Sequence, residues 1–427
     1  MPENDVQDLK DWPIKILEIL SSESREWLLS LDSRWELTFQ DKKFLSESAR
    51  DLEMWQETSL RDRWNHLEQG LPKNYQKKQA KKKILTALKT AIEQMKGLAK
   101  SYENNKFSRN EPALKYEKDE SDKAILGRCP VWSDDTVCCQ LKVLDVVQNC
   151  AFACSYCTIQ TFYGDKVVFD ANLGKKLKEL KLEENQFHHI GSGQSSDALV
   201  WGNREGILDD LCAFAHQRRN ILLEFKTKSS NVKYFLESEN LPHNIVCSWS
   251  LNPQIIIENE EQGSASLKAR LSAARSVADK GVKVAFHFHP MVYYDDWESG
   301  YGEIVNEIMT MFQPNEVLFI SFGSITFIKP VIKKIRERNM GSRILQMEFE
   351  KAPKGKLTYP EEVKLKMFHF MNNAFKDWKE SVFFYLCMEK ALFWDEVFGF
   401  HYAKNQDFAD AFEASISTKV EITKSLC

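Results

Sequence analysis

Cys150-Ala151-Phe152-Ala153-Cys154-Ser155-Tyr156-Cys157 follows directly on the apolar run Leu141-Lys142-Val143-Leu144-Asp145-Val146-Val147-Gln148, and the rest of the chain is read outward from this pair. The run reads as a strand, and the three thiols behind it are spaced C-x₃-C-x₂-C. Three thiolates on one short loop suit three corners of a [4Fe–4S] cube, because each exposed iron takes one soft ligand. The fourth iron lacks a protein ligand and is open to the amino and carboxylate groups of S-adenosylmethionine. An electron passed from such a cluster into the sulfonium cleaves it to a 5′-deoxyadenosyl radical. The alternative is three structural or zinc-binding thiols; zinc usually takes four ligands, and no fourth Cys or His follows at finger spacing.

Downstream, short apolar runs recur over 186–193, 221–229, 244–252, 282–290 and 317–325, with helical segments over 172–182, 206–219, 264–280 and 302–312 between them. Alternating strand and helix imply a parallel sheet with right-handed crossovers. With 141–148 as the first, six such units predict an open, partial (β/α)6 barrel of α/β class. In parallel barrels the chemistry gathers at the C-terminal ends of the strands, which is where the cysteine loop falls. The other strand ends carry Gly191-Ser192-Gly193-Gln194-Ser195-Ser196-Asp197, Lys226-Thr227-Lys228-Ser229, Ser250-Leu251-Asn252-Pro253 and His287-Phe288-His289-Pro290. The glycines allow close backbone approach and the hydroxyls can bind a ribose or an amino group. A lysine at a barrel mouth can pair with the methionyl carboxylate of the cofactor or simply be exposed. His287 and His289 share one face of their strand and are read as satisfied pocket histidines, since no third metal ligand is evident. Tyr293, Tyr294 and Trp297 line a cleft or only pack.

The length of 427 residues predicts two or three domains, with boundaries at 1–120, 121–345 and 346–427. The first is a helical extension with helices over 12–29 and 48–67, a lysine-rich helix start at Lys77-Lys78-Gln79-Ala80-Lys81-Lys82-Lys83, and a polar linker over 101–123. Positive charge at a helix N-terminus opposes the dipole; these lysines are read as a solvated face, with phosphate contact as the alternative. The last domain is a small α+β region. It starts with a hairpin over 346–359 around Pro353-Lys354-Gly355 and continues with a helix over 360–379 and a strand over 383–387. A short helix and turn over 388–400 follow, and the residues beyond Asp410 are expected to be poorly anchored. A net charge of −4 gives no global pull toward nucleic acid. The acidic start and the lack of a bilayer-length apolar run predict no membrane association, and ten scattered cysteines with an exposed cluster predict a reducing cytoplasm.

Taken together, these residues resemble the spore photoproduct lyase family of radical-SAM proteins. The resemblance runs over about 138–400. It rests on Cys154-Ser155-Tyr156-Cys157-Thr158-Ile159-Gln160, Ser196-Asp197, Thr227-Lys228, Ser250-Leu251-Asn252-Pro253, Leu267-Lys268-Ala269-Arg270-Leu271, Trp297-Glu298-Ser299-Gly300-Tyr301 and Lys356-Leu357-Thr358-Tyr359-Pro360. It implies a partial TIM barrel holding a [4Fe–4S] cluster on Cys150, Cys154 and Cys157, with S-adenosylmethionine held by Ser196, Lys228, Ser250, Asn252 and Arg270. It further implies damaged DNA as substrate, a thymine dimer opened by radical chemistry on a base taken out of the stack, and an electron donor such as flavodoxin or ferredoxin. Tyr156 and Gln194 stand at catalytic positions. Gln194 occupies the place of the family's hydrogen-donor cysteine, Thr158 replaces a family tyrosine, and Phe322-Gly323-Ser324-Ile325-Thr326-Phe327 replaces a Thr-His-Arg-Phe-like segment. An amide N–H is too strong to give up a hydrogen atom as a thiol does, so the hydrogen-return step is expected to be altered, with Cys138, Cys139, Cys212 or Cys247 as stand-in donors. A radical-SAM enzyme acting on another substrate, and a non-catalytic Fe–S or DNA-binding protein, are the alternatives.

Overall fold

Ser21, Thr38 and Ser59 each end an extended stretch and begin a helix, their hydroxyls accepting the backbone N–H three residues on. The helices are Ser22–Trp35, Phe39–Trp55 and Leu60–Gln69. The single helix expected over 48–67 is therefore two, because Gln56 turns into the left-handed region and Ser59 recaps the chain. The one expected over 12–29 likewise breaks between Ile14–Ile19 and Ser22–Trp35. The computed structural model describes residues 12–72, 74–103, 105, 107, 114–129, 135–159, 164–193, 195–338 and 340–422. It divides into two units, one made of residues 1–109 with 328–349 and the other of 110–327 with 350–427.

In the first unit the helices bury Leu28, Trp35, Leu45, Trp55 and Trp64. The lysines that open the helix Lys77–Gly97 are used inside this unit. Lys77 pairs with Glu36 at 3.1 Å, and Lys81 lies 3.4 Å from Asp41 and donates to the Glu36 carbonyl at 2.8 Å. Acids on preceding helices thus meet the charge that opposes the helix dipole. The helix Lys329–Glu337 joins the same unit through an Arg336–Asp51 pair at 3.1 Å. Behind it, Ser342 N–H donates to the Met54 carbonyl at 2.8 Å and Arg343 pairs with Glu57 at 2.6 Å.

The second unit is built on one sheet of eight strands: β1 Leu126–Arg128, β2 Lys142–Leu144, β3 His188–Ser192, β4 Ile221–Thr227, β5 Ile245–Ser250, β6 Lys283–Met291, β7 Val317–Ser324 and β8 Phe383–Leu386. They lie side by side in chain order. From β2 to β8 every neighbouring pair is parallel, and β1 adds one antiparallel edge with Arg128 opposite Lys142. The helices Leu173–Glu179, Ile207–His216, Leu267–Asp279, Trp297–Met311 and Glu361–Ala374 fall between the strands, as right-handed crossovers require. All six apolar runs contribute strands to a curled half-barrel, the first only through Lys142–Leu144 because Val147–Gln148 turns away to pair with Val168 and Phe169, and 383–387 supplies a seventh parallel one. Strands of a curled sheet tilt and stagger, so the residues ahead of β2 meet those behind β8: Val137 N–H donates to the Glu389 carbonyl at 3.0 Å in an isolated antiparallel bridge.

Two readings of the chain are corrected. The stretch taken as a linker contains the strand Lys115–Asp119, which pairs in parallel with Lys166–Asp170; its alternation is hidden because its side chains are largely exposed. The stretch beyond Asp410 is anchored. The helix Asn405–Ile416 buries Phe408, Phe412 and Ile416, a stripe at i, i+4 and i+8, and Phe412 stacks on His189 with ring centroids 4.9 Å apart. The hairpin forms as Glu350–Lys351 against Leu357–Thr358, with Thr326–Phe327 as a third strand. Lys354 is exposed at its turn, but Lys356 is buried.

Candidate functional site

Asn149 prepares the cysteine loop. It takes a left-handed backbone at φ 72, its amide donates to the carbonyls of Gly164 and Lys166 at 2.8 and 3.0 Å, and its carbonyl oxygen accepts Cys150 N–H at 2.8 Å. The chain then runs as a short strand, Ala153–Cys154, antiparallel to Glu261–Gln262, with Cys154 opposite Glu261. Ser155 N–H donates to the Glu260 carbonyl at 2.8 Å, and its hydroxyl donates to the Glu260 carboxylate. The loop after β2 is thereby clipped to the segment after β5. Cys150, Phe152 and Cys154 form one buried cluster, with Tyr156, Cys157, Ile159 and Val200 packed against it.

Glu261 is the hub of the site. Arg270 donates to it at 2.6 Å, Asn252 at 2.8 Å, and the Tyr156 hydroxyl donates to the same oxygen as Asn252. Burial alone would raise this carboxyl, but Arg270 and Lys228, with the hydrogen bonds from Tyr156 and Asn252, hold it down to about 2. Arg270 has no exposed side-chain surface. Its remaining donors go to the Ala265 and Ser250 carbonyls at 2.9 and 2.8 Å and to the Ser264 hydroxyl at 2.6 Å. Asn252 also accepts the Tyr301 hydroxyl at 2.7 Å. Lys228 stands 5.9 Å from the Tyr156 ring centre, within electrostatic reach of Cys154 and Glu261. Its backbone N–H donates to Asp197 at 2.6 Å, and that carboxylate also takes the Thr227 hydroxyl and the N–H groups of Leu199 and Val200.

Of the residues singled out from the sequence, Cys150, Cys154, Cys157, Tyr156, Lys228, Ser250, Asn252 and Arg270 thus meet at the ends of β2, β4 and β5. Ser196 lies beside Asp197, with its hydroxyl accepting Trp201 Nε1 at 2.8 Å. Gln194 lies outside the described residues. Glu260 and Glu261 were not found from the sequence. An acidic pair at a helix end reads as solvated face, and only the loop clipped over it makes it central.

Below this layer the barrel interior is polar. Glu224 on β4 accepts from Ser248 at 2.5 Å and lies 2.6 Å from His287 Nε2 and 2.8 Å from His189 Nε2. Ser321 stands 2.6 Å from His287 Nδ1. Burial would raise Glu224, yet the two imidazoles hold it well below the usual carboxylate range, while burial and Lys226 push His287 down to about 4. His287 therefore has a partner on each ring nitrogen and is a satisfied core histidine. Cys212 and Cys247 are 5% and 0% exposed and pack as small apolar side chains.

The two metals weighed for the cysteine loop ask for different donor sets. One zinc ion draws its ligands to a single point at about 2.0–2.3 Å, and among the described residues no three His, Cys, Asp or Glu side chains converge in that way. A four-iron cube instead takes one thiolate per iron, and Cys150, Cys154 and Cys157, packed together on one loop, are the residues that would hold it. Burial and the Asp197 carboxylate push the Cys150 thiol up to about 12, and burial and Glu261 raise Cys154. Such thiols become good ligands only when a cation compensates them.

The family model for spore photoproduct lyase matches residues 140–384, more than half of the chain. A curated spore photoproduct lyase of a Geobacillus species is 27% identical over 205 residues, 46% of this chain and 59% of that protein. One from Clostridium acetobutylicum is 24% identical over 243 residues, 54% of this chain and 72% of that protein. The chain therefore spans less than two thirds of the first relative's length. Among solved structures, a spore photoproduct lyase variant with bound AdoMet and dinucleoside spore photoproduct superposes with a TM-score of 0.52 at 20% identity, covering 64% of this chain and 82% of that one. Another, with dinucleoside spore photoproduct, gives 0.53 at 18% identity, covering 66% and 100%. Such identities bear on the fold, and the half-barrel agrees with it. By the family match, which begins just before β2 and ends within β8, this chain belongs to the spore photoproduct lyase family.

Proposed function

We propose that the protein is a radical-SAM enzyme that acts on DNA, opening a thymine photoproduct with an altered hydrogen-return step. The observation that carries the reading is the clip between the cysteine loop and Glu260–Glu261. It sets Cys154, Lys228 and Asn252 beside one buried carboxylate at the strand ends, with Cys150 and Cys157 in the same packed cluster as Cys154. Cys150, Cys154 and Cys157 would hold a [4Fe–4S] cluster, and when bound that cluster with S-adenosylmethionine supplies a 5′-deoxyadenosyl radical. The chain's own part is positioning. Lys228 offers an ammonium to a carboxylate group of the cofactor, Ser196 and Ser250 offer hydroxyls, and Asn252 and Arg270 hold the floor of the site through Glu261. Tyr156, under Lys228 and bonded to Glu261, is fixed beside the reacting centre. The alteration of hydrogen return rests on Gln194 and Thr158 in the sequence. A low-potential carrier such as flavodoxin or ferredoxin would bring the electron.

A second reading, radical chemistry on a substrate other than DNA, is favoured by the internal use of the basic clusters. Lys77 and Lys81 are spent on Glu36 and Asp41, and Lys356 is buried. One anaerobic experiment separates the readings. The reconstituted, reduced protein is given S-adenosylmethionine and ultraviolet-damaged oligonucleotide with deuterated thymine methyl groups, and 5′-deoxyadenosine is followed by mass. Deuterium in 5′-deoxyadenosine is the expected result, with restored or adducted thymine reporting how the hydrogen is returned. Unlabelled 5′-deoxyadenosine formed at the same rate without DNA moves the assignment to another substrate.

A further inference from the structure

Successive side chains of a strand alternate between its two faces, so Glu224, Lys226 and Lys228 share one face of β4, and His287 and His289 share one face of β6. That face is the inner one. Glu224 is bonded to Ser248 on β5 and His287 on β6, and Lys228 stands over Tyr156 at the site. His289 is placed independently by β7. A Cβ added to Gly323 would stand 2.7 Å from His289 Cδ2, so the imidazole lies against the β7 backbone at a position where a side chain would displace it. Lys226 and His289 therefore form a layer between the Glu224–His287–Ser321 network below and the Glu261 site above.

Burial changes between these layers. Glu224, His287 and Ser321 are 1%, 4% and 0% exposed, whereas Lys226, Lys228 and His289 all keep accessible surface. Inward-facing side chains with accessible surface mark a well that opens toward the strand ends, and the lower network is its floor. Among the described residues the Lys226 ammonium has no hydrogen bond or ion pair, and neither has the His289 ring. The acids within the barrel are already committed, Glu224 to His189, His287 and Ser248, and Glu261 to Arg270, Asn252 and Tyr156. Burial, with Lys226, His287 and Lys228 nearby, keeps the His289 pKa well below the usual histidine value, so its ring is neutral, with one N–H to donate. A cation drawn into a protein interior is ordinarily paired, because an unpaired one is costly. Lys228, nearer the mouth, is already assigned to the carboxylate of the cofactor; Lys226, one pleat deeper, is not.

We propose that Lys226 and His289 bind an anionic oxygen group of the substrate, a phosphate or a carboxylate, at the floor of this well. Lys226 donates from its ammonium and His289 from one ring nitrogen. His287 adds no donor, since both its nitrogens are taken by Glu224 and Ser321, and it closes the floor. The inference rests on the substrate site proposed above and names the chemical class that it takes. In a DNA lesion the group is the phosphodiester that joins the two damaged nucleotides; in another substrate it is a phosphate or carboxylate of its own.

The test is a binding measurement without reductant, so that no turnover occurs. The reconstituted full-length protein is saturated with S-adenosylmethionine to occupy Lys228. It is then titrated calorimetrically with inorganic phosphate, with acetate, and with the spore photoproduct in two forms, the dinucleotide that carries the phosphodiester and the dinucleoside that lacks it. The wild-type chain should bind the dinucleotide about tenfold or more tighter than the dinucleoside, the effect of one charge-assisted hydrogen bond. Lys226→Met should abolish that preference, Lys226→Arg should keep it, and His289→Ala should reduce it several-fold. Iron per chain and far-ultraviolet circular dichroism report that the variants are folded. If the two photoproducts bind alike but phosphate or acetate binding is lost in Lys226→Met, the pair stands and its oxyanion belongs to a substrate other than DNA. Phosphate, acetate and dinucleotide bound equally by wild type and Lys226→Met overturn the proposal. So does a wild-type chain that binds neither small anion and does not prefer the dinucleotide, a result that needs no variant. Binding of the dinucleoside in that last case leaves DNA as the substrate, so the two readings fail separately.

Discussion

Glu261 receives Arg270, Asn252 and Tyr156 without touching solvent, so removing its charge leaves a guanidinium buried without a counter-ion. Glu261→Gln should cost roughly 3–5 kcal/mol of stability, read as a shift in the urea midpoint. The sign of its pH dependence follows from a folded pKa near 2 against an ordinary value of 4.5. A depressed carboxyl stabilises the fold fully above about pH 4.5, and that stability is lost as pH falls toward 2. The wild-type chain should therefore weaken steeply over that window, and Glu261→Gln should show a flatter acid limb. Lys228 offers a different test, because its ammonium stands 5.9 Å from the Tyr156 ring centre at the site. Lys228→Ala should bind S-adenosylmethionine about 10–100-fold more weakly in equilibrium dialysis, the worth of one charge-assisted hydrogen bond, with iron content unchanged.

The cysteine loop is as good as its clip, and the clip is made by two elements. Ser155→Ala removes the hydroxyl that the buried Glu260 carboxylate accepts. Reconstituted iron per chain should fall while far-ultraviolet circular dichroism stays constant, which distinguishes a loosened loop from an unfolded unit. At the other end of the sheet, the helix Asn405–Ile416 lays Phe412 against His189, Phe319 and Phe383. Phe412→Ala should cost about 3–5 kcal/mol in urea unfolding, as large-to-small changes in a packed core do. A loss below about 1 kcal/mol would mean that this helix is not part of the cooperative core. The helix escaped notice in the sequence because Phe408, Phe412 and Ile416 are its only large apolar residues, set among alanines and polar residues. The alternation of β2 to β7 was plain, since strands buried on both faces read as continuous apolar runs.

On the scale of the whole molecule, DNA binding depends on which lysines remain for phosphate. Lys78, Lys82 and Lys354 are exposed, whereas Lys77 and Lys81 already face acids. If DNA is the substrate, each of the three changed to Gln should flatten the plot of log affinity against log salt by about 0.9 where it meets a phosphate. Lys77→Gln should change it little. A salt-independent affinity would remove DNA from the account. The sequence alone determined the βα alternation, the address of C-x₃-C-x₂-C at a strand end and the family, because periodicity and close spacing are properties of neighbours in the chain. Only the tertiary structure decided that Glu261 is the hub, that 328–349 joins the N-terminal helices, and that Val137 bridges to Glu389 across the barrel's opening. Each of these depends on contacts between residues far apart in sequence, set by how strongly the sheet curls and how its strands stagger, and no local pattern of residue types encodes that.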